Sequence, residues 1–461
     1  MLSGSNSAVE FLPSKQAVAG SNPVSRSKNS THRQLSQFAI IGITNTPFLK
    51  DDDLRSTKIR PLVIPLLILI VMSSSDNAHQ SNIDLAVGKH SFSITYWEMS
   101  NISKKWLHLA WELFPGNKPT DEERIEIVTK YLEVTRMLIK EKDLLEVESQ
   151  SITYKEKSKY SSQREHEIQE LDDMKNVLQA RAEEAIEAVM SDVLRKQGLG
   201  FRANILFPPT DFRLETPPLI LVTSPRNKIT LKESKLVKNG IKPNIKEQIE
   251  KKVEEDKITS ALVDDLAGLG TYPAFVSDKY DLRQIVRTAA HEWLHNYWIF
   301  HSFGRNMWDS PEMYTLNETA ADIAGNELGD LAFIRLGGTI QNNSSKYSSA
   351  ELSHPHLTRI LRETRQTVES LLIQGEIEEA EKLMRESQWT LKLGGYSIRK
   401  INQAYFAFRG NYAESPASTS QIGAELKEYR GLFNTTGEFV KSLTKIKSYE
   451  QFKQILEVDK K

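Results

Sequence analysis

The segment QIVRTAAHEWLHNYWIF, residues 284–300, carries two histidines four positions apart with a glutamate directly after the first. In a helix, positions i and i+4 share a face, so His291 and His295 point at one spot while Glu292 stands beside it. No other feature constrains the fold as much. Two imidazoles converging on one point need a rigid helix and a further element that completes the site. The chain has no cysteine. Disulfides, thiol nucleophiles and thiolate metal sites are therefore excluded, and any metal must be held by His, Asp or Glu.

A hydrolytic zinc takes three protein ligands and leaves a fourth position for water. His301 stands ten residues after His291, the spacing of the pattern HExxHxxGxxH, but Trp298 occupies the position where that pattern needs glycine for a sharp turn. Glu318 is the stronger candidate. It lies in LNETAADIAGNELG, an apparent second helix rich in apolar residues, with Asp322 one turn further on. Glu318 can reach the metal, and the Asp322 carboxylate can accept the free N–H of a metal-bound imidazole.

His291-Glu292-x-x-His295 followed by Asn317-Glu318-x-x-x-Asp322 resembles the gluzincins, the thermolysin-like clan of zinc metallopeptidases, over about 40 residues. The resemblance implies a zincin-like fold, Zn2+ held by His291, His295 and Glu318, Glu292 as catalytic base, and Asp322 as the residue that orients a ligand histidine. The runs TSPRNKITL, GLGTYPAFV and KINQAYFAFRGNYA, with the HEWLH helix, also resemble a group of exported bacterial proteins with HExxH and NExxxD motifs, which lends no known substrate. The GAMEN motif of the aminopeptidase gluzincins is absent, and the interval from HExxH to Glu318 is slightly longer than in thermolysin. The clan's transition-state histidine has no counterpart by motif, and His354 and His356 read as surface residues of a polar linker.

The implied reaction is hydrolysis of a peptide bond, with Glu292 taking a proton from the activated water and returning it to the leaving amine. A second donor is expected for the developing oxyanion. The run RKINQAYFAFRGNY reads as a helix whose one face carries Asn402, Tyr405, Arg409 and Tyr412, and the last three are candidate catalytic residues. Gly268 and Gly270 precede the metal helix and would let a substrate backbone pair along an edge strand. The alternative function class is a noncatalytic zincin-fold module for binding or assembly at the cell envelope. A base retained beside the metal argues for the enzyme.

Lys+Arg 60 against Asp+Glu 61 leaves a net charge of -1, which gives no overall field for nucleic acid; a peptide or protein substrate is what the peptidase resemblance implies. Residues 1–57 show no apolar period, and Gly20–Pro23 within AVAGSNPVSRS reads like a transfer-RNA gene translated in frame, so this stretch is expected to be an untranslated or disordered leader. Residues 58–78 form a signal peptide or signal anchor, with the twelve-residue apolar run 61–72 as the hydrophobic part and a potential membrane tether. Export follows, to a periplasmic, extracellular or outward-facing anchored location. Residues 79–200 read as a helical region, with a segment from Thr95 to Phe114 and a hairpin from Asp121 to Gly198; 201–283 as a small α/β region with substrate-side strands; and 284–461 as a helical zinc-binding region. The fold class is α+β: a small sheet followed by a mainly helical, zincin-like metal-binding half, with an N-terminal helical hairpin.

Overall fold

The computed structural model describes residues 81–98, 100, 119–151, 157–200, 205–340, 355–412 and 415–458, together with the dipeptide Val18–Ala19. The remainder of the expected leader, the signal segment and the stretch 101–118 lie outside the described residues. Among the described residues no helix is long and apolar enough to cross a membrane.

The dense Glu/Lys/Arg/Leu stretch forms two long helices, α2 (Asp121–Ser151) and α3 (Lys157–Lys196), after a short capped helix α1 (Asn82–Val87). Their outer faces are solvated, as the charge runs require, but their base is built into the main core. Ile186, Met190 and Leu194 of α3 pack in one cluster with residues of the later metal helices. Glu183 accepts the Leu214 N–H at 2.9 Å and Gln179 donates to the Leu214 carbonyl at 3.0 Å, which fixes the hairpin to the next strand.

The proline-marked change of texture after Gly200 yields two small sheets where a single one was expected. Strands β3 (Leu219–Pro225), β4 (Glu233–Val237) and β5 (Thr259–Asp264) form an antiparallel sheet in the order β4-β3-β5, with helix α4 (Pro243–Glu254) between β4 and β5. The LILV run is continuously apolar because both faces of β3 are covered. Ile220 and Val222 face the helices that follow the metal site, whereas Leu219 and Leu221 face α1 and α4. The other sheet has the order β1-β6-β7-β2, built from β2 (Phe212–Leu214), β6 (Gly268–Leu269), β7 (Ala274–Val276) and β1 (Val18–Ala19). Val18 pairs with Gly268 and Ala19 with Leu269 along the edge of β6. A sheet edge recruits an extended segment through main-chain N–H and C=O groups, whatever that segment's side chains are.

The second half is helical: α5 (Leu282–Trp298), α6 (Ser302–Arg305), α7 (Pro311–Arg335), α8 (Pro355–Ile373), α9 (Ile377–Leu393), α10 (Gln403–Arg409), α11 (Ile422–Gly431), α12 (Thr436–Leu443) and α13 (Tyr449–Val458). The metal helices α5 and α7 are the centre of the largest core, where Trp298 is fully buried. Burying one such aromatic contributes about 1.5–3 kcal/mol. The molecule is a mostly helical α+β arrangement with the sheets ahead of the helical half.

Candidate metal centre

Local signals place both metal helices. The Asp281 side chain accepts the Gln284 N–H at 2.9 Å to start α5, and Ser310 accepts the Met313 N–H at 3.1 Å to start α7 ahead of Pro311. The two run antiparallel in very close contact. A Cβ on Gly325 would lie 3.0 Å from the His291 backbone, and one on Gly329 would lie 2.5 Å from the Arg287 Cα. Both glycines are thus needed for the backbones to approach. The next residue after Gly329, Asp330, receives both Arg283 and Arg287 as paired forks, with contacts of 2.6–2.9 Å. Burial works against the Asp330 carboxylate, but these two guanidinium groups hold it below its usual pKa. The clamp sets the register that carries α7 across the histidines.

That register brings Glu318 and Asp322 to His291 and His295. The His291 and His295 Nε2 atoms lie 2.8 Å apart, and Glu318 Oε2 stands 3.4 Å from the first and 3.5 Å from the second. Donor atoms bound to one tetrahedral zinc at 2.0–2.1 Å are separated by roughly 3.3 Å, so the three fit such an ion. The far sides of the rings supply a second argument. His291 Nδ1 lies 3.0 Å from Asp322 Oδ1, and His295 Nδ1 lies 3.1 Å from Asn317 Oδ1. Asn317 Nδ2 donates to the Phe303 carbonyl at 3.3 Å, which turns its oxygen toward the imidazole. These acceptors place a proton on each Nδ1, so with both rings neutral two Nε2 lone pairs would face one another across the site. Lone pairs at that distance repel unless a cation lies between them or one ring is protonated.

The triad is the gluzincin set, HExxH followed by Glu. Comparison of the chain with protein-family models, curated proteins and solved structures finds no match, so the likeness rests on this site. Asn317 was visible in the sequence as part of the NExxxD motif, but its bond to His295 appears only when α7 crosses α5.

All three gluzincin ligands are buried, and Glu292 and Glu318 are 0% exposed. Burial disfavours a charged His291, yet the hydrogen bonds from Asp322 and Glu318 win and raise its pKa to about 10 in the metal-free site. Glu318 moves the other way: burial opposes its charge, but His295 and His291 draw it down to about 2. Glu292 is pushed well above the usual carboxylate range, first by burial and then by the charges of Glu318 and Asp322, against the opposing pull of His291. Neither of its carboxylate oxygens has a hydrogen-bond partner. Gly268 of β6 presses directly on it, since a Cβ there would lie 2.4 Å from Glu292 Oε1. The glycine thereby makes room for the base.

The expected stripe of Asn402, Tyr405, Arg409 and Tyr412 is divided. Helix α10 ends at Gly410, so the stripe does not continue to Tyr412. Asn402 caps α10 through the Tyr405 N–H and donates to the Ala261 carbonyl, both at 2.9 Å. Arg409 is paired with Asp264 of β5 at 2.7 Å, and Tyr405 is buried beside that pair. Tyr412 lies elsewhere. It is buried near Glu318, and burial, then Glu318, Tyr314, Asp322 and Glu292, raise its pKa well above the ordinary phenol value. Tyr314, four residues before Glu318 on α7, is buried there too and is shifted the same way. Only that spacing marked it before the fold was known.

His301 does not join the ligands. Helix α5 stops at Trp298, and His301 precedes α6 with its ring 4.8 Å from that of Tyr297. The tight turn that follows uses Gly304, where a Cβ would lie 2.3 Å from the Trp298 carbonyl oxygen. His356 is exposed at the start of α8, and His354 lies outside the described residues.

Proposed function

We propose that this protein is an exported zinc-dependent peptidase in which Glu292 is the general base. The observation that carries the reading is the meeting of two imidazole Nε2 atoms and a buried carboxylate at one point, with an unpartnered glutamate next to them. His291, His295 and Glu318 would hold the zinc, which when bound supplies Lewis acidity and lowers the pKa of water to about 7. Glu292 takes the proton of the attacking water and carries it to the leaving amine. Its burial without a hydrogen-bond donor suits this exchange, because nothing competes for the proton it accepts. Tyr412, buried near Glu318 with Tyr314, donates a hydrogen bond to the oxyanion as it forms. Tyr405 and Arg409 keep a supporting role through Asp264, at the start of the segment that leads into β6.

The substrate is an extended peptide lying along β6, beside Glu292. The pairing of Val18–Ala19 with Gly268–Leu269 supports that placement, as it occupies the same main-chain positions a substrate strand would use. Export is supported by the signal-like segment 58–78. The test is metal analysis of purified protein joined to hydrolysis of a peptide library. Close to one zinc per chain and cleavage lost in Glu292→Gln with zinc retained are expected. A zinc-loaded protein that cleaves no member of the library, with Glu292→Gln indistinguishable from it, overturns the enzyme reading.

A further inference from the structure

Tyr412 sits in a loop that leaves α10 at Gly410 and returns to the core at Ala417, and both ends of that loop are held by one side chain. Arg365, on α8, donates from Nη1 to the Gly410 carbonyl at 3.3 Å and to the Ala417 carbonyl at 2.9 Å. Its Nε donates to Glu369 Oε1 at 2.8 Å, one turn along the same helix, which fixes the direction of the guanidinium. The fit leaves no room for a side chain at position 410, where a Cβ would fall 1.8 Å from Arg365 Nη1. Inside the clamp, Ser415 N–H donates to the Tyr412 carbonyl at 2.8 Å and Ser418 N–H to the Ser415 carbonyl at 3.0 Å. Ser415, Ala417 and Ser418 are buried. The described residues 410–412 and 415–418 are thus bonded to one another and pinned by Arg365.

We infer that Arg365 is a positioning residue for the reaction: by bridging the Gly410 and Ala417 carbonyls it holds Tyr412 in place near Glu318. Arg365 touches neither the triad nor Glu292. It acts through Tyr412, and so couples helix α8 to the site. A planar fork with several donors can bridge two carbonyls in a fixed geometry, which a lysine ammonium on a flexible stem holds less well. Displacing a catalytic group by about 1 Å costs on the order of 100-fold in rate. The kinetic part of the inference rests on the peptidase reading, whereas the clamp itself does not.

The test uses the full chain loaded with zinc, in four forms: wild type, Arg365→Gln, Tyr412→Phe and the double variant. Arg365→Gln is expected to keep close to one zinc per chain, to lower kcat roughly 10- to 100-fold with KM changed less than about threefold, and to add little to Tyr412→Phe in the double variant. Hydrogen exchange read at Ser415 and Ser418 should quicken in Arg365→Gln. Arg365→Lys, which keeps the charge and the stem packing, serves where Arg365→Gln does not fold, and should fall between it and wild type. Losses in kcat that multiply in the double variant, or exchange unchanged in Arg365→Gln, overturn the inference. If wild type cleaves nothing, the peptidase reading has failed, and the exchange at Ser415 and Ser418 still decides the clamp.

Discussion

Gly268→Ala is the smallest change that should separate metal binding from catalysis. The added methyl group would stand 2.4 Å from Glu292 Oε1, 2.7 Å from Thr288 Cγ2 and 3.0 Å from the Phe275 carbonyl oxygen. Ordinary contact at such a carbon begins near 3.4 Å, so the Glu292 oxygen has to move by about 1 Å, a shift that lowers rate on the order of 100-fold. Phe275 is in β7 and pairs with Leu269 of β6, so the strand cannot simply slide away to relieve the crowding. The methyl group reaches none of the three ligands as a close contact. Zinc content should therefore remain close to one per chain while kcat falls about 100-fold, and overpacking should cost about 1–3 kcal/mol of stability. Gly431→Ala, where the new carbon meets nothing within 4 Å, is the matched control. Metal analysis, steady-state kinetics on a fluorogenic peptide and a thermal melt complete the set. Wild-type kcat in a folded Gly268→Ala protein would refute the placement of Glu292 as base; parallel loss of zinc and activity would show that β6 supports the ligands instead.

Zinc retention after mild dialysis should follow the order Glu292→Gln, then Asp322→Ala, then Glu318→Ala, with Asp322→Ala losing about 10- to 100-fold in metal affinity. Asn317→Ala should match Asp322→Ala, because it frees the Nδ1–H of the other ligand histidine, and His301→Ala should retain zinc fully; a loss at His301 comparable to that at Glu318 would point to a different third ligand. Metal uptake should release a proton near pH 8, since Asp322 and Glu318 raise His291 to about 10 in the absence of metal and a zinc ligand needs its Nε2 bare. Calorimetry in two buffers of different ionisation enthalpy reads this, and apparent affinity should weaken as pH falls from there toward 7; an unchanged affinity would contradict the raised value. Gly325→Ala and Gly329→Ala force the two metal helices apart against backbone atoms and should weaken zinc binding without touching any ligand, as metal titration will show.

The metal site was more legible than the architecture around it, for a physical reason. HExxH and ExxxD are statements about helix faces, and a face is fixed by local geometry alone. Which partner meets each Nδ1 depends on how two helices cross, so the bond from His295 to Asn317 and the close approach at Gly325 and Gly329 could not be read from spacing. The stripe through Tyr405, Arg409 and Tyr412 misled because it was extended past Gly410-Asn411, a pair that ends helices. The same stop carries Tyr412 to the triad and leaves Arg409 with Asp264. The two sheets were read as one because strands of two or three residues carry too few side chains to show a period, whereas the seven residues of β3 were plain.

The ligands, the groups that orient them, the base and the Arg283–Arg287–Asp330 clamp all fall between residues 283 and 330, on two helices joined by a short connection. In terms of sequence information, the chemistry specifies about a dozen positions in one continuous stretch, plus a few outliers such as Gly268 and Tyr412. The rest of the chain answers to a looser requirement: keep apolar period, keep volume, keep the helices apart by the right distance. Such a chain can change nearly everywhere and still hold its metal. Kinship would then fade from whole-chain comparison long before it fades from this one helical pair.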